Sequence, residues 1–277
     1  MTTERECVTR VIRFREYLMT NRWEQLLGDA ERLLPSYLER TSNLTHAHKG
    51  IRRSELFFFY ALARPLAPQR IVESGRARAQ STFVLSRLFP QIPIVSLESD
   101  AHSPDVALAA ERLRDCENVE SRFGNSIELL PKMVEAGDVV LIDGPKDFRA
   151  LKLAFRLLSN ELPAAVFVHD LWLGSSPRRF LERELRSALL SDDPRWVERY
   201  AMLDSARALP AIVSSGLRFA YGATLACFER GAEDYGHVLR RCRAAQGRDR
   251  LRENVCKLLR RPPLTRPDDF GEITTPS

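Results

Sequence analysis

The chain has 277 residues, of which 44% are hydrophobic and 29% charged, with a formal net charge of +5. This composition is typical of a soluble globular protein with room for one large core and extensions. The longest apolar run, LFFFYALA, is too short for a membrane span of roughly twenty residues, and the charged start lacks the apolar segment of a secretory signal. We therefore expect a cytoplasmic protein without a transmembrane segment.

The cysteines are odd in number and scattered, and no two form a CxxC pair, which argues against a zinc site or a disulfide framework and favours a reducing cytosol. They are Cys7, Cys116, Cys227, Cys242 and Cys256.

The first 68 residues have the pattern of helices. Apolar residues recur at helical spacing over 8–19, 22–40 and 54–66, with a loop at 43–50 that contains His46 and His48. We predict that 1–68 is a helical extension packed on the domain that follows.

From residue 69, short apolar runs alternate with amphipathic segments, which predicts βαβ units, a parallel sheet and a Rossmann-like domain over 69–231. The predicted strands occupy 70–75, 93–100, 118–125, 138–145 and 163–172. Ligands of such sheets bind outside the carboxyl ends of the strands. The polar residues at those ends are Glu73, Glu98, Asn125, Asp143, His169 and Asp170.

After residue 175 the pattern predicts a helix over 176–190 and two last strands over 196–204 and 219–229, as an antiparallel pair. The final segment, 232–277, contains a basic helix at 239–261 whose apolar stripe is Leu251, Val255, Leu258 and Leu259. We expect this stripe to dock on the sheet domain, although contact of the cationic face with an anionic membrane, nucleic acid or partner stays open. The tail after Arg266 is predicted to be disordered.

The loop after the first predicted strand, RIVESGRARAQST over 70–82, has the composition of a cofactor-binding turn. An acid, Glu73, precedes Gly75, and Ser81 and Thr82 can open a helix. Backbone N–H groups at such a turn bind anionic groups, and a nearby carboxylate can hold an amine. S-adenosylmethionine (SAM) carries both charges on its methionine end.

The block from 69 to about 230 resembles the class I SAM-dependent methyltransferases, a Rossmann-like fold with a late antiparallel strand. Within that superfamily it is most similar to small-molecule O-methyltransferases of the catechol and caffeoyl-CoA type and their bacterial relatives. Glu73 and Gly75 match the start of the family's acid-x-Gly-x-Gly-x-Gly loop, whereas Ala77 and Ala79 replace later glycines. The flanking arginines, Arg76 and Arg78, either pair with the methionine carboxylate or spoil the site.

The resemblance implies further cofactor contacts. Glu73, Gly75 and Ser81 would hold the methionine end, and Glu98 would accept the ribose hydroxyls, with Asp100 as the neighbouring alternative. Asn125 and Ser126 would contact adenine, although both are also good turn and capping residues.

The resemblance also implies roles at the fourth and fifth strands. Asp143 and Asp170 match metal ligands, and Lys146 matches a candidate base. Leu171 stands where the metal-dependent members usually have Asn, so we predict weak or no dependence on magnesium. His169 is an alternative base, and Trp172 with the loop 173–178 is a candidate wall of the acceptor pocket.

These patterns predict a methyltransferase that acts on a hydroxyl of a small molecule or glycan, with SAM as cofactor. Its candidate catalytic residues are Asp143, Lys146 and His169. The alternative is an inactive methyltransferase-like scaffold, which the alanines at 77 and 79 favour. A nicotinamide-dependent oxidoreductase is less well supported because the second glycine of its fingerprint is missing at 77. The acceptor and a homodimeric state stay open.

Overall fold

The computed structural model describes the backbone of residues 4–44, 50–204 and 224–258, and the side chains of these ranges except 4–20, 253 and 256–258. Strands and helices alternate along most of the described chain. The strands are β1 Ile71–Ser74, β2 Ile94–Glu98, β3 Val119–Phe123, β4 Val139–Ile142, β5 Ala165–Val168, β6 Leu189–Leu190 and β7 Ala226–Glu229. The helices are α1 Glu4–Thr41, α2 Arg53–Ala63, α3 Gln80–Leu88, α4 Asp105–Leu113, α5 Ser126–Met133, α6 Asp147–Ser159, α7 Ser176–Glu184, α8 Pro194–Tyr200 and α9 Tyr235–Leu258.

The strands form one sheet in the order β3-β2-β1-β4-β5-β7-β6. The first five strands are parallel, and β7 lies antiparallel between β5 and β6. This order confirms the predicted Rossmann-like architecture, including the late antiparallel strand. All five strands predicted between 70 and 172 are present, each a few residues shorter than its predicted range.

The central strands are apolar on both sides because helices cover both faces of the sheet. Every residue of β4 and β5 is buried, as expected for parallel strands between two helical layers. One layer contains α1, α2, α3 and α8, and the other contains α5, α6, α7 and α9.

The N-terminal helices pack directly on the sheet. The ring of Phe59 in α2 lies 4.4 Å from that of Phe167 in β5, centroid to centroid. The predicted helices at 8–19 and 22–40 are one continuous helix, because Thr20 and Asn21 interrupt the apolar pattern but do not block helical backbone. Whether 1–68 is a unit of its own stays a prediction, and residues 45–49 of the predicted loop lie outside the described residues.

The strand predicted at 196–204 is wrong, since this segment begins with helix α8. Asp193 caps the helix by accepting a hydrogen bond from Arg195 N at 3.0 Å, and Pro194 takes the first helical position. Trp196 and Tyr200 lie four residues apart and therefore share one buried face.

Strand β7 pairs antiparallel with β5 on one side and with β6 on the other, and β6 lies inside the predicted helix 176–190. Helix α7 ends at Glu184, before the two residues of β6. The strand predicted at 219–229 is confirmed at Ala226–Glu229, and residues 219–223 lie outside the described residues.

The C-terminal helix docks, but by a different stripe from the predicted one. Leu251 and Val255 are 65% and 45% exposed, and the side chains of Leu258 and Leu259 lie outside the description. The buried residues come earlier in α9, where they pack in the same cluster as α6: Tyr235, Val238, Leu239, Cys242 and Ala245. The stripe of α9 that holds the helix to the domain therefore ends near residue 245.

Among the described residues, no helix is both long and apolar enough to cross a membrane. Cys116, Cys227 and Cys242 are free thiols buried in the fold.

Candidate functional site

The five parallel strands end at the same edge of the sheet, and the ends of β1, β2, β4 and β5 bring most of the predicted site residues together there. They form two groups, namely the loop 75–79 with Glu98, and a charged cluster that we define as Glu55, Asp143, Lys146, His169 and Asp170. The groups are contiguous because Gly75 packs on the backbone of Asp143 and Gly144. A ligand bound at this edge can therefore contact both.

Gly75 is required by the packing of two strand ends. Its φ is +87°, and a Cβ added there would lie 2.6 Å from the backbone nitrogen of Gly144 and 2.7 Å from the carbonyl carbon of Asp143. Real side chains do not tolerate such contacts, and neither group is a flexible side chain that can move away. This glycine therefore sets how closely the loop approaches β4, with or without a ligand.

Ala77 and Ala79 adopt the backbone conformation that glycine would favour. Their φ angles are +44° and +57°, in the left-handed region that costs an L-residue roughly 1–2 kcal/mol. The Ala77 side chain is exposed, whereas Ala79 is fully buried at the start of α3. The loop backbone is thus left-handed at both positions, as it would be with glycine, although both residues are alanine.

Neither arginine of the loop points freely into the site. Arg76 is buried, donates from Nη1 to Ser96 O at 3.0 Å, and lies over the ring of Phe123 at 4.9 Å. Arg78 pairs with Asp105 at 2.8 Å on the surface. Both guanidinium groups thus hold neighbouring elements together, which leaves the predicted pairing with a methionine carboxylate without support.

Glu73 supports the loop from below. Its side chain is fully buried, and one carboxylate oxygen accepts hydrogen bonds from the hydroxyls of Thr82 and of Ser96, the latter at 2.8 Å. Burial raises the pKa of Glu73, and the hydroxyls of Ser81, Thr82 and Ser96 offset this only in part. Glu73 and the buried Ser81 therefore tie β1 to α3, and their contact with a cofactor stays a prediction.

Glu98 closes the loop across the ends of β1 and β2. Its Oε2 accepts from Ala77 N at 2.9 Å, and its Oε1 accepts from Ser99 N at 2.7 Å and Asp100 N at 3.2 Å. A carboxylate has about four acceptor positions, so Oε2 keeps capacity for a ligand hydroxyl. The side chain of Asp100 accepts instead from His102 N at 2.9 Å.

Asn125 and Ser126 occupy structural positions at the start of α5. Asn125 is the N-cap, since its side chain accepts from Ile127 N at 3.1 Å. The Ser126 hydroxyl donates to Gly144 O at 3.1 Å and links α5 to β4. Adenine contact by either residue stays a prediction.

Two exposed apolar side chains beside this cap were not among the predicted site residues. Phe123 is 46% exposed at the end of β3, and Ile127 is 38% exposed in the first turn of α5. These two side chains place apolar surface beside the polar strand ends, where a ligand can contact it. The sequence signal was an apolar residue on either side of the Gly-Asn-Ser turn.

The charged cluster is built around a lysine between two carboxylates. Lys146 Nζ donates to Asp143 Oδ1 at 2.6 Å and also pairs with Asp170. Asp170 has a φ of +63° in the turn after β5. Lys146 is 42% exposed and the two carboxylates about half as much, so the cluster faces solvent.

His169 lies beneath this pair and connects it to the N-terminal helices. Its Nδ1 is 2.8 Å from Asp143 Oδ1, and its Nε2 is 3.3 Å from Oε2 of the buried Glu55 in α2. Glu55 was not predicted as a site residue. Its only sequence signal is a single acid at the head of the long apolar run of α2.

The carboxylates hold both candidate bases in their protonated forms. Burial alone would lower the pKa of His169, but Asp143 and Glu55 raise it well above its usual value. Burial likewise opposes the charge of Lys146, while Asp143 and Asp170 raise its pKa. Burial would raise the pKa of Asp143, but His169 and Lys146 lower it. Both shifts favour the protonated forms, and the base role of Lys146 or His169 stays a prediction.

The residues present do not fit a divalent metal ion. Asp143, His169 and Asp170 offer ligand atoms within 4.8 Å of one another, but the Lys146 ammonium stands between the two carboxylates. Leu171, at the position of the family's asparagine, is fully buried and has no oxygen in its side chain. The weak or absent magnesium dependence itself stays a prediction.

The segment after Asp170 is fixed partly by a buried arginine. Arg178 in α7 donates to Leu171 O at 3.2 Å, to Thr224 Oγ1 at 3.2 Å and to Asp192 at 2.8 Å. Trp172 remains partly exposed. Arg178, which belongs to the loop predicted as a pocket wall, therefore makes its hydrogen bonds inside the fold. Trp172 stays a candidate wall residue.

No protein-family model matches the chain, and no curated protein matches it. Solved structures resemble it in fold. The O-methyltransferase TomG from Streptomyces achromogenes, solved with SAM, is 18% identical with a TM-score of 0.44, over 72% of this chain and 89% of TomG. An O-methyltransferase from Bacillus cereus, solved with SAH, is 18% identical with a TM-score of 0.41, over 73% of this chain and 90% of that one.

The SAH-bound methyltransferase PaMTH1 from Podospora anserina is 13% identical with a TM-score of 0.39, over 82% of this chain and 97% of that one. Because these TM-scores lie below 0.5, nothing about the activity of this chain follows from them.

Proposed function

We propose that this chain is a SAM-dependent methyltransferase that methylates a hydroxyl of a small molecule or glycan, with preference for an acidic hydroxyl. One observation carries the proposal: the glycine-like loop closed by Glu98 is contiguous with a solvent-facing charged cluster at the same sheet edge. Methyl transfer needs a cofactor and an acceptor oxygen held side by side. The contiguity of the two groups supplies that arrangement.

The residues of the loop side fit the cofactor. The left-handed turn at 77 and 79 leads into the N-terminus of α3, where a carboxylate group is favoured. The free capacity of Glu98 Oε2 suits a ribose hydroxyl, and Phe123 and Ile127 offer apolar surface to an adenine ring. When bound here, SAM would supply the methyl group.

The charged cluster suits an acceptor that ionises easily. Lys146 and His169 are held as cations, so neither takes a proton readily from a weakly acidic alcohol. An ammonium ion instead stabilises an oxygen anion beside it. We therefore favour phenol-like hydroxyls over the hydroxyls of sugars.

Calorimetric titration with SAM and with SAH tests cofactor binding. We expect dissociation constants in the micromolar range, about −7 to −8 kcal/mol. Glu98→Ala should weaken binding by about 1–3 kcal/mol, because it removes a polar contact and opens the loop. Glu117→Ala, at an exposed acid before β3, is the matched control and should bind as the parent does.

The absence of heat and of thermal shift at millimolar SAM would reject the enzyme and favour the scaffold. If SAM binds, release of SAH should be measured with phenols and with sugars under the same conditions. Faster turnover of sugars than of phenols would contradict the preference for acidic hydroxyls while leaving methyl transfer in place.

A further inference from the structure

Lys146 places its ammonium between the carboxylates of Asp143 and Asp170. Its Nζ lies 2.6 Å from Asp143 Oδ1 and is also paired with Asp170. Magnesium requires oxygen ligands at about 2.0–2.1 Å and calcium at about 2.3–2.6 Å. An ion coordinated by both carboxylates would have to occupy the gap that already holds the ammonium.

We infer that the Lys146 ammonium is the resident cation of this site, and that removing it turns Asp143 and Asp170 into a divalent-cation site. The side chain thus takes the place of an ion, and the protein as it stands does not bind a divalent ion between these carboxylates.

The charge balance of the cluster supports this inference. The carboxylates of Asp143 and Asp170 both pair with the Lys146 ammonium. Without the ammonium these two carboxylates would face the same gap with one positive charge fewer to offset them. A divalent ion in the gap would replace that charge.

The ammonium also retains a donor for a ligand. A lysine has three N–H donors, and among the described residues Asp143 and Asp170 are the two acceptors that Nζ contacts. With 42% of the side chain exposed, the third donor can reach an acceptor oxygen from solvent. A fixed ammonium can thus orient and polarise that oxygen as an ion would.

Manganese binding measured by electron paramagnetic resonance tests the inference on the full chain with no other ligand. We expect no site in the parent protein at millimolar Mn²⁺, and the same for Lys132→Ala, an exposed lysine outside the cluster. Lys146→Ala should bind Mn²⁺ at least tenfold more tightly than the parent. Asp170→Asn in that background should abolish the gain.

The inference would be overturned if the parent protein bound Mn²⁺ and the single substitution Asp170→Asn removed that binding. A folded Lys146→Ala protein with no gain would also overturn it, because the ammonium would then not occupy an ion's position. If Lys146→Ala does not fold, Lys146→Ser is measured in its place, since its small side chain also leaves the gap open. Because neither SAM nor acceptor is present, these results do not depend on whether the chain is a methyltransferase.

Discussion

Replacing Ala77 by glycine should stabilise the protein. Ala77 has a φ of +44° and an exposed side chain, so the substitution removes left-handed strain without removing a buried contact. The relief is roughly 1–2 kcal/mol, and the greater freedom of glycine in the unfolded chain takes back roughly 0.4–1 kcal/mol. We expect a net gain of about 0.5–1 kcal/mol.

Thermal and urea unfolding measure this difference. For a chain of this size the gain corresponds to a Tm increase of about 1–4 °C. Ala110→Gly is the matched control because Ala110 is exposed in helix α4, where glycine costs about 1 kcal/mol. The two identical substitutions should shift stability in opposite directions, and destabilisation by both would show that residue 77 is not in the left-handed region.

Two further predictions concern His169 and helix α9. The pKa of His169 is raised on folding, so its contribution to stability is fully present below its unfolded pKa of about 6.5 and is lost as pH rises through the folded value. In the parent, the free energy of unfolding should therefore fall as the pH rises above about 6.5. His169→Gln should make this fall less steep, and an unchanged slope would refute the raised pKa of His169. In α9, Leu239→Ala should cost about 2–5 kcal/mol because this side chain is 9% exposed, whereas Leu251→Ala, 65% exposed, should change stability by less than about 0.5 kcal/mol. Equal effects in denaturant unfolding would mean that the later stripe docks after all.

The strands of the sheet could be predicted because their pattern depends on burial alone. VVLI and AVFV, the sequences of β4 and β5, are apolar at every position since both faces are covered. The polar residue that follows each strand then marks the ligand edge. The same reasoning applied to 196–204 failed, because Trp, Val and Tyr suit a strand and a buried helix face equally well. The Asp193-Pro194 cap was the better signal there.

The electrostatics of the site could not be predicted, because they depend on residues far apart in sequence. Glu55 lies 114 residues before His169, and nothing local to either residue indicates that they meet. The backbone of Ala77 and Ala79 could not be predicted for the same reason. Alanine by itself disfavours the left-handed region, but the packing of the loop imposes it. The residue types at 146 and 169 suggest candidate bases. The carboxylates that determine whether these side chains are protonated are brought next to them only by the fold.

The contact between Glu55 and His169 bears on how this protein can be shortened or recombined. A fragment that begins at residue 69 would retain every strand, yet it would lose one of the carboxylates that hold the imidazolium. Such a fragment would differ from the parent in the charge of the cluster at the sheet edge as well as in its core. Exchanging the first two helices between related chains would, for the same reason, also change the groups that contact His169.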